Sequence, residues 1–371
     1  MTISFFDDYK ISLQQFAEMS QAVGNRSDYV QGGGGNTSCK LDNNLMAIKA
    51  SGYRLNQITP DQGYAVLDYD SLKKFYNETD PSSLEDIEKS GSTVAAASVR
   101  SIEGLKKVRP SVEAGFHSML ERFVIHSHSI YANLLTCSVQ GRSIAEKIMA
   151  QQGINFAYVA YMNPGAQLTF EIVRARIKAA AADGKLPSVI FLENHGLIAT
   201  SDDMTDCLQI HEIVNKAIKS YFELDNDWAE PSLEKLAGHE NMFRSTSGLL
   251  KKLLAELPWD LKMLAENALY PDQLVFLADQ VKAIESGSAA DFDLPNNKLP
   301  AKCNIFRESS EVIYNCGEQE ALTMEQTIAA VLFIYKHVRS KGYDIGLLSD
   351  EGRDFISNWE SEKYRKSINT D

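Results

Sequence analysis

Two histidines one residue apart, His126 and His128, close an apolar run that begins at Phe123. On an extended strand alternate side chains share a face, so both imidazoles would point one way and Ser127 the other. That suits two ligands of one metal ion, although the pair alone equally describes one buried and one solvated histidine. His195 stands in Glu-Asn-His-Gly at the turn between two apolar runs, where an unpaired imidazole would be costly and a metal would account for it. Three neutral imidazoles would leave a divalent ion its full charge and an open position, the composition of a catalytic site. Glu113 lies in Arg109-Pro-Ser-Val-Glu-Ala-Gly-Phe-His117. With Ser111 as N-cap and Val112, Phe116, Met119 and Phe123 at helical spacing, it is expected in the first turn of a helix, with His117 one turn on. Taken alone, it also reads as an ordinary first-turn acid.

An anion site is suggested by two polar turns a hairpin apart. Gln31-Gly-Gly-Gly-Gly-Asn-Thr-Ser-Cys-Lys40 allows close backbone approach to a ligand. Lys49-Ala-Ser-Gly52 follows, so Asn36, Lys49, Ser51 and the Gly52 amide could converge on one anion, completed by Ser111 at the helix start. The glycine run lacks a terminal Gly-Lys-Ser/Thr and the Gly-x-Gly-x-x-Gly spacing, which excludes both familiar phosphate loops. His211-Glu212 is not a zinc-protease helix, because Asn215 replaces the second histidine. His211, His239 and His337 read as surface or packing residues.

The elements that must position these groups can be read from periodicity. Ile11, Phe16, Met19 and Val23 predict a helix over 8–23, and the stretch ending at Lys40 is followed by a hairpin through Asp42-Asn43-Asn44 into residues 45–53. The polar stretch 77–93 reads as a surface insertion. Phe156–Tyr161 is strand-like, Phe170, Val173 and Ile177 fall on one helix face, and 187–200 forms two strands around Asn-His-Gly. A helix through Cys207, Ile210, Val214, Ala217 and Tyr221 follows. Residues 225–232 read as a boundary, giving a first domain of 1–224 and an extension of 225–371. In the extension, helices are expected over 233–268, a strand at 270–277, a loop over 285–300, two strands near 304 and 312, and a final helix with Ile328, Val331, Tyr335 and Val338 in register. Its strand, strand, helix order faintly repeats that of 188–222, with Ser309 and Ser310 where His195 would stand.

Composition narrows the function. Charged residues make up 23% and apolar residues 44%, as in a folded globular chain, and 37 basic against 50 acidic residues give a net charge of −13. That charge argues against nucleic acid or an anionic membrane as partner while permitting a local basic pocket. Five scattered cysteines suit a reducing, cytoplasmic setting, and neither a signal peptide nor an 18-residue apolar span is apparent.

In order along the chain, Gly-Gly-Asn-Thr-Ser, Ile-Lys-Ala-Ser-Gly, Pro-Ser-Val-Glu-x-x-x-His, His-Ser-His-Ser and Glu-Asn-His-Gly resemble the class II aldolase/adducin superfamily. The likeness is to the fuculose- and rhamnulose-1-phosphate aldolases and to the aldolase part of bifunctional rhamnulose-1-phosphate aldolase/dehydrogenases. It implies an α/β (α+β) fold, three layers with a central, mainly antiparallel sheet covered by helices, and a C-terminal α/β extension. By the same resemblance His126, His128 and His195 hold Zn2+ or another divalent ion, and Glu113 is the acid/base. Asn36, Ser51, Gly52 and Ser111, with Lys49, hold a phosphate, and Tyr161 donates a proton. The substrate implied is a small sugar phosphate and the assembly a homo-oligomer, a tetramer in the family. The reaction implied is reversible aldol cleavage of a ketose 1-phosphate to dihydroxyacetone phosphate and an aldehyde. Dehydratases or epimerases of the same fold and non-catalytic adducin-like modules are the alternatives. Val112 replaces the second serine of the usual Ser-Ser-Glu, and Gln167-Leu168 lacks an acid found in rhamnulose-1-phosphate aldolases.

Overall fold

The computed structural model describes residues 4–181, 184–224, 228–289 and 299–358. Helices α1 (Phe5–Asp8) and α2 (Lys10–Gly24) lead into the hairpin β1 (Asn36–Lys40) and β2 (Leu45–Lys49). The hairpin closes on Asp42, whose carboxylate accepts the Asn44 and Leu45 amides at 2.7 Å each. Then follow β3 (Tyr64–Asp68), α3 (Tyr69–Glu78), α4 (Ile87–Ser98), β4 (Val99–Arg100), α5 (Ala114–Met119), β5 (Phe123–Ser127), α6 (Ile130–Thr136) and α7 (Gly141–Gln152). The first sheet is completed by β6 (Phe156–Val159), β7 (Val189–Leu192) and β8 (Gly196–Ser201), with α8 (Ala166–Ala180) and α9 (Met204–Tyr221).

Eight strands form this sheet in the order β4-β3-β2-β1-β5-β8-β7-β6, and only the β6–β7 pair is parallel. The central strands β5, β7 and β8 are buried nearly throughout, as sheets covered on both faces require. Alternation divides the core. Val124, Ile190 and Ile198 face Phe116 of α5 and Leu168 and Ile172 of α8. Ile125, Phe191 and Leu197 face Phe16 of α2, Leu134 of α6, Ile148 of α7 and Val214 of α9. The architecture is thus the expected three-layer mixed α/β fold with a mainly antiparallel sheet.

The rest of the chain contributes β9 (Leu233–Lys235), β10 (Met242–Ser245), α10 (Gly248–Glu256), α11 (Leu261–Ala265), α12 (Pro271–Leu277), β11 (Val281–Ile284), β12 (Cys303–Phe306), β13 (Glu311–Asn315), α13 (Glu318–Ser340) and α14 (Asp350–Asn358). Its sheet runs β11-β12-β13-β10-β9. This five-stranded sheet is built wholly after residue 224, yet one apolar core runs through both parts of the chain, from Leu13 to Val338. Helix α13 is buried on most of its surface and packs against α6, α10 and α12. The parallel-then-antiparallel pairing of β6, β7 and β8 recurs in β11, β12 and β13. Asn194 and Ser310, in the two equivalent turns, share a positive φ of 50° and 52°.

Several sequence expectations require correction. Residues 270–277 are a helix entered through Pro271, not a strand. The stretch 233–268, expected to be helical, begins with two strands. The helix expected from Ser111 starts at Ala114, and Phe123 belongs to β5. Residues 77–93 contain the start of α4, whose Glu88 accepts the Ala166 and Gln167 amides at 2.8 and 2.9 Å and so caps α8. Residues 225–227 of the expected boundary and 290–298 of the expected loop lie outside the described residues. No described helix is long and apolar enough to cross a membrane.

Candidate active site

Strand β5 carries His126 to the face shared with Val124, and His128 follows just past its end. The opposite face is pinned by polar contacts to α9. Ser127 Oγ shares a hydrogen bond of 2.7 Å with His211 Nε2, and Ser129 donates to Asn215. His211, expected at the surface or in packing, is buried, which lowers its pKa to about 4 and keeps it neutral. His195 arrives on the β7–β8 turn. There Asn194 adopts the left-handed conformation and its amide donates to Thr136 O at 2.8 Å.

The three imidazoles converge. His126 and His128 bring their Nε2 atoms to 3.1 Å, and a ligand atom of each of the three histidines lies within 4.8 Å of the others. Among the described residues this is the one group with metal-holding geometry. The donor set fits an ion: two nitrogens about 2.0–2.1 Å from one tetrahedral zinc lie roughly 3.3 Å apart. The ring orientations are compatible with an ion. His126 Nδ1–H donates to Leu197 O at 3.2 Å, and His128 Nδ1–H donates to Asp272 Oδ2 at 2.6 Å, leaving both Nε2 atoms as lone-pair donors. Burial, with the neighbouring imidazoles, holds His126 well below its ordinary pKa, so it stays neutral and able to ligate.

Glu113 stands against this cluster. It occupies the N-cap position of α5, its carboxylate oxygens 3.5 Å from His126 Nε2 and 3.5 Å from His195 Nε2. A directional relay holds it. Ser38 Oγ–H donates to His117 Nδ1 at 2.7 Å, His117 Nε2–H donates to Asn36 Oδ1, and Asn36 Nδ2–H donates to Glu113 Oε2 at 2.6 Å and to Ser111 Oγ at 3.1 Å. Burial drives the His117 pKa down to about 3, so the relay carries a neutral imidazole. Asn36 pairs with His126 across β1 and β5, which fixes its distance from Glu113.

The expected anion cradle borders the same space. A cavity of about 40 Å³ is lined by Asn36, Lys49, Ser51, Gly52, Ser111 and Glu113, together with His128 and His195. The two polar turns are tied by Ser51 N donating to Arg109 O at 2.9 Å and Ser111 N to Lys49 O at 3.1 Å. Lys49 Nζ donates to Gly33 O at 2.9 Å, bringing the glycine loop over the cradle. The loop is close-fitting: a Cβ on Gly35, whose φ is +62°, would fall 2.6 Å from His126 O. Asn36 borders the cavity, but its carboxamide is engaged with Glu113, Ser111 and His117 rather than presented to an anion.

Tyr161 does not line this cavity. Its hydroxyl donates to Asn163 Oδ1 at 3.4 Å, its ring packs against Gly352 of α14, and burial raises its pKa. Asp272 was missed by sequence reasoning. It lies in Tyr270-Pro-Asp-Gln273, a stretch that reads as a strand and resembles the extension following the aldolase core of the bifunctional enzymes, but its partner His128 is 144 positions away, so no local pattern joins the two.

The family profile described as Class II Aldolase and Adducin N-terminal domain matches residues 14–222, more than half of the chain. The chain belongs to this family. Among solved structures, it is similar to the N-terminal class II aldolase domain of a conserved protein from Thermoplasma acidophilum. The two are 21% identical with a TM-score of 0.46, over 60% of this chain and 95% of that one. A sugar-phosphate aldolase from Thermotoga maritima gives 13% identity and a TM-score of 0.42, over 58% of this chain and 95% of that one. For L-fuculose-1-phosphate aldolase from Thermus thermophilus the values are 13% and 0.35, over 58% and 95%. No functionally curated protein matches the chain. Within this class II aldolase and adducin member, the histidine cluster lies inside the matched span and Asp272 lies beyond it.

Proposed function

We propose that the protein catalyses metal-dependent, reversible aldol cleavage of a ketose 1-phosphate to dihydroxyacetone phosphate and an aldehyde, with zinc as the ion. The observation that carries this reading is the convergence of three imidazoles on a buried carboxylate beside a cradle of polar backbone and hydroxyl groups. An all-nitrogen donor set of three histidines suits zinc, which, when bound, supplies Lewis-acid stabilisation of negative charge on the substrate's oxygens.

The chain's own groups account for the remaining steps. Ser51, the Gly52 amide, Ser111 and Lys49 bind and orient the phosphate, which fixes the sugar carbons relative to Glu113. In the cleavage direction the C4 hydroxyl loses its proton to water and C4 becomes the aldehyde carbon as the C3–C4 bond breaks, that bond's electron pair staying with C3. Glu113 delivers a proton to that carbon, giving dihydroxyacetone phosphate, and removes it in the synthetic direction. Water re-protonates Glu113 after each turnover. Asn36 keeps the carboxylate aimed, and the buried His117 behind it fixes Asn36. Tyr161 has no role in this scheme.

The phosphate has an approach route. A groove of about 1000 Å³ meets the cavity at Ser51 and Gly52 and is lined by Arg54, Lys106, Lys107 and Arg109. In a chain of net charge −13, this concentration of cations would draw an anionic substrate inward and offset the hydroxyl absent at Val112.

The test is a panel of ketose 1-phosphates incubated with the zinc-loaded protein and assayed for dihydroxyacetone phosphate. Release from at least one is expected. A dehydrated ketone or an isomer as product, or no turnover by stoichiometrically loaded protein, would overturn the aldolase reading.

A further inference from the structure

We propose that the chain beyond the family domain completes the metal site, with Asp272 as the positioning residue that orients His128 for metal capture. The inference rests on the metal reading above but concerns a residue 50 positions past residue 222, where the family match ends. Asp272 is fully buried at the start of α12, and its Oδ2 accepts the His128 Nδ1–H at 2.6 Å. That bond selects the tautomer in which Nε2 carries the lone pair, and it turns this atom to within 3.1 Å of His126 Nε2. A carboxylate acceptor on a ligating imidazole also strengthens the nitrogen as a donor.

The surrounding chain is built to keep this contact. Pro271 supplies the fixed φ of a first helical residue, and Gln273 holds the entry to α12 through three bonds. Its Oε1 accepts the Leu269 amide at 2.8 Å, and its Nε2 donates to Met263 O at 2.8 Å and Leu264 O at 3.0 Å. On the other side, a Cβ at Gly34 would lie 2.2 Å from Asp272 Oδ2 and 3.0 Å from His128 Nδ1, so the glycine loop leaves room for the pair. The same segment reaches a second ligand. Asn194, next to His195, donates to Leu269 O at 2.8 Å and to Gly346 O at 2.9 Å. His128 itself, and the residue next to His195, therefore contact the chain beyond residue 222.

The experiment measures metal affinity by chelator competition, with zinc and with cobalt, on the full chain and on D272A, D272N and H126A. Asp272→Ala is expected to weaken metal binding about 10–100-fold. Asp272→Asn, which retains an acceptor oxygen of the same reach, should fall between it and wild type, and the visible cobalt spectrum of both should shift. In addition, nitrogen-15 spectra of the folded wild-type protein should show His128 protonated at Nδ1, a readout that requires no variant to fold. If D272A and D272N bind metal as wild type does while H126A loses it, the positioning role fails and the metal reading survives. An Nε2–H tautomer at His128 would overturn the role likewise. A wild-type protein that takes up neither ion would overturn both.

Discussion

Glu113 meets two demands at once. In the proposed reaction it must lie close enough to the imidazoles to reach a carbon bound there, yet be held so that its carboxylate does not rotate away. The Ser38–His117–Asn36 relay supplies the second. Replacing Glu113 with Gln should preserve metal content, measured by elemental analysis, while turnover falls roughly 10²–10⁴-fold. An unimpaired variant would remove Glu113 from the mechanism. Asn36→Ala should reduce turnover by at least about tenfold with little change in substrate KM, because it frees a carboxylate rather than a phosphate ligand. A pure KM effect would instead place Asn36 at the phosphate. The sequence showed the histidine pair and Glu113 because their spacing is local to one strand and one turn. Asn36 was legible as a site residue but not in its observed contacts. Its neighbour across the sheet, His126, is set by strand register, and His117 reaches it from α5, and no local pattern encodes either contact.

At the scale of elements, the glycine loop, α12 and the cap of α8 show why periodicity reached some structure and not the rest. The run Leu274-Val-Phe-Leu277 lacks polar interruptions, and a short apolar run reads alike as buried strand or buried helix. Tertiary burial on all sides, with Pro271 at the first turn, selects the helix. The glycine run reads as flexible, yet packing leaves it little freedom. Gly34→Ala should therefore displace Asp272 and cost about 1–3 kcal/mol in urea unfolding, with weakened metal retention. An alanine variant of wild-type stability and affinity would show that the loop has slack. Glu88, from a stretch read as an uninformative insertion, caps α8 through two amides. Glu88→Ala should lower stability by about 1 kcal/mol without changing metal content, as thermal unfolding would register.

For the whole molecule, the shared core makes stability sensitive to groups far from the site. Glu325, on α13, is buried and accepts hydrogen bonds from Tyr314 at 2.6 Å and Ser245 at 2.7 Å. Burial nevertheless pushes its carboxyl up to about 7 from an ordinary 4.5. The folded state then binds this proton more tightly than the unfolded chain. Its contribution to stability is therefore complete below about pH 4.5 and is lost as pH rises towards 7. Glu325→Gln should flatten the difference in unfolding free energy between pH 5 and pH 8 by roughly 2–3 kcal/mol. An unchanged slope would show that another group carries the dependence. The three-layer fold was legible from alternating strands and amphipathic helices. The continuity of its core with the rest of the chain was not, since residues such as Tyr131 of α6 and Phe333 of α13, whose ring centroids lie 6.5 Å apart, meet only in three dimensions.

The contact between Asp272 and His128 also sets an order in time. All three histidines leave the ribosome before Asp272, and α13, which packs against α12, emerges later still. At ordinary elongation rates that interval is on the order of ten seconds. On the positioning role argued for Asp272, a nascent chain is a weak metal binder while its histidines are being made and becomes a strong one only after α12 and α13 dock. On that role, ion selection is deferred until α12 and α13 have been made and docked, when the folded site samples the exchangeable metal pool.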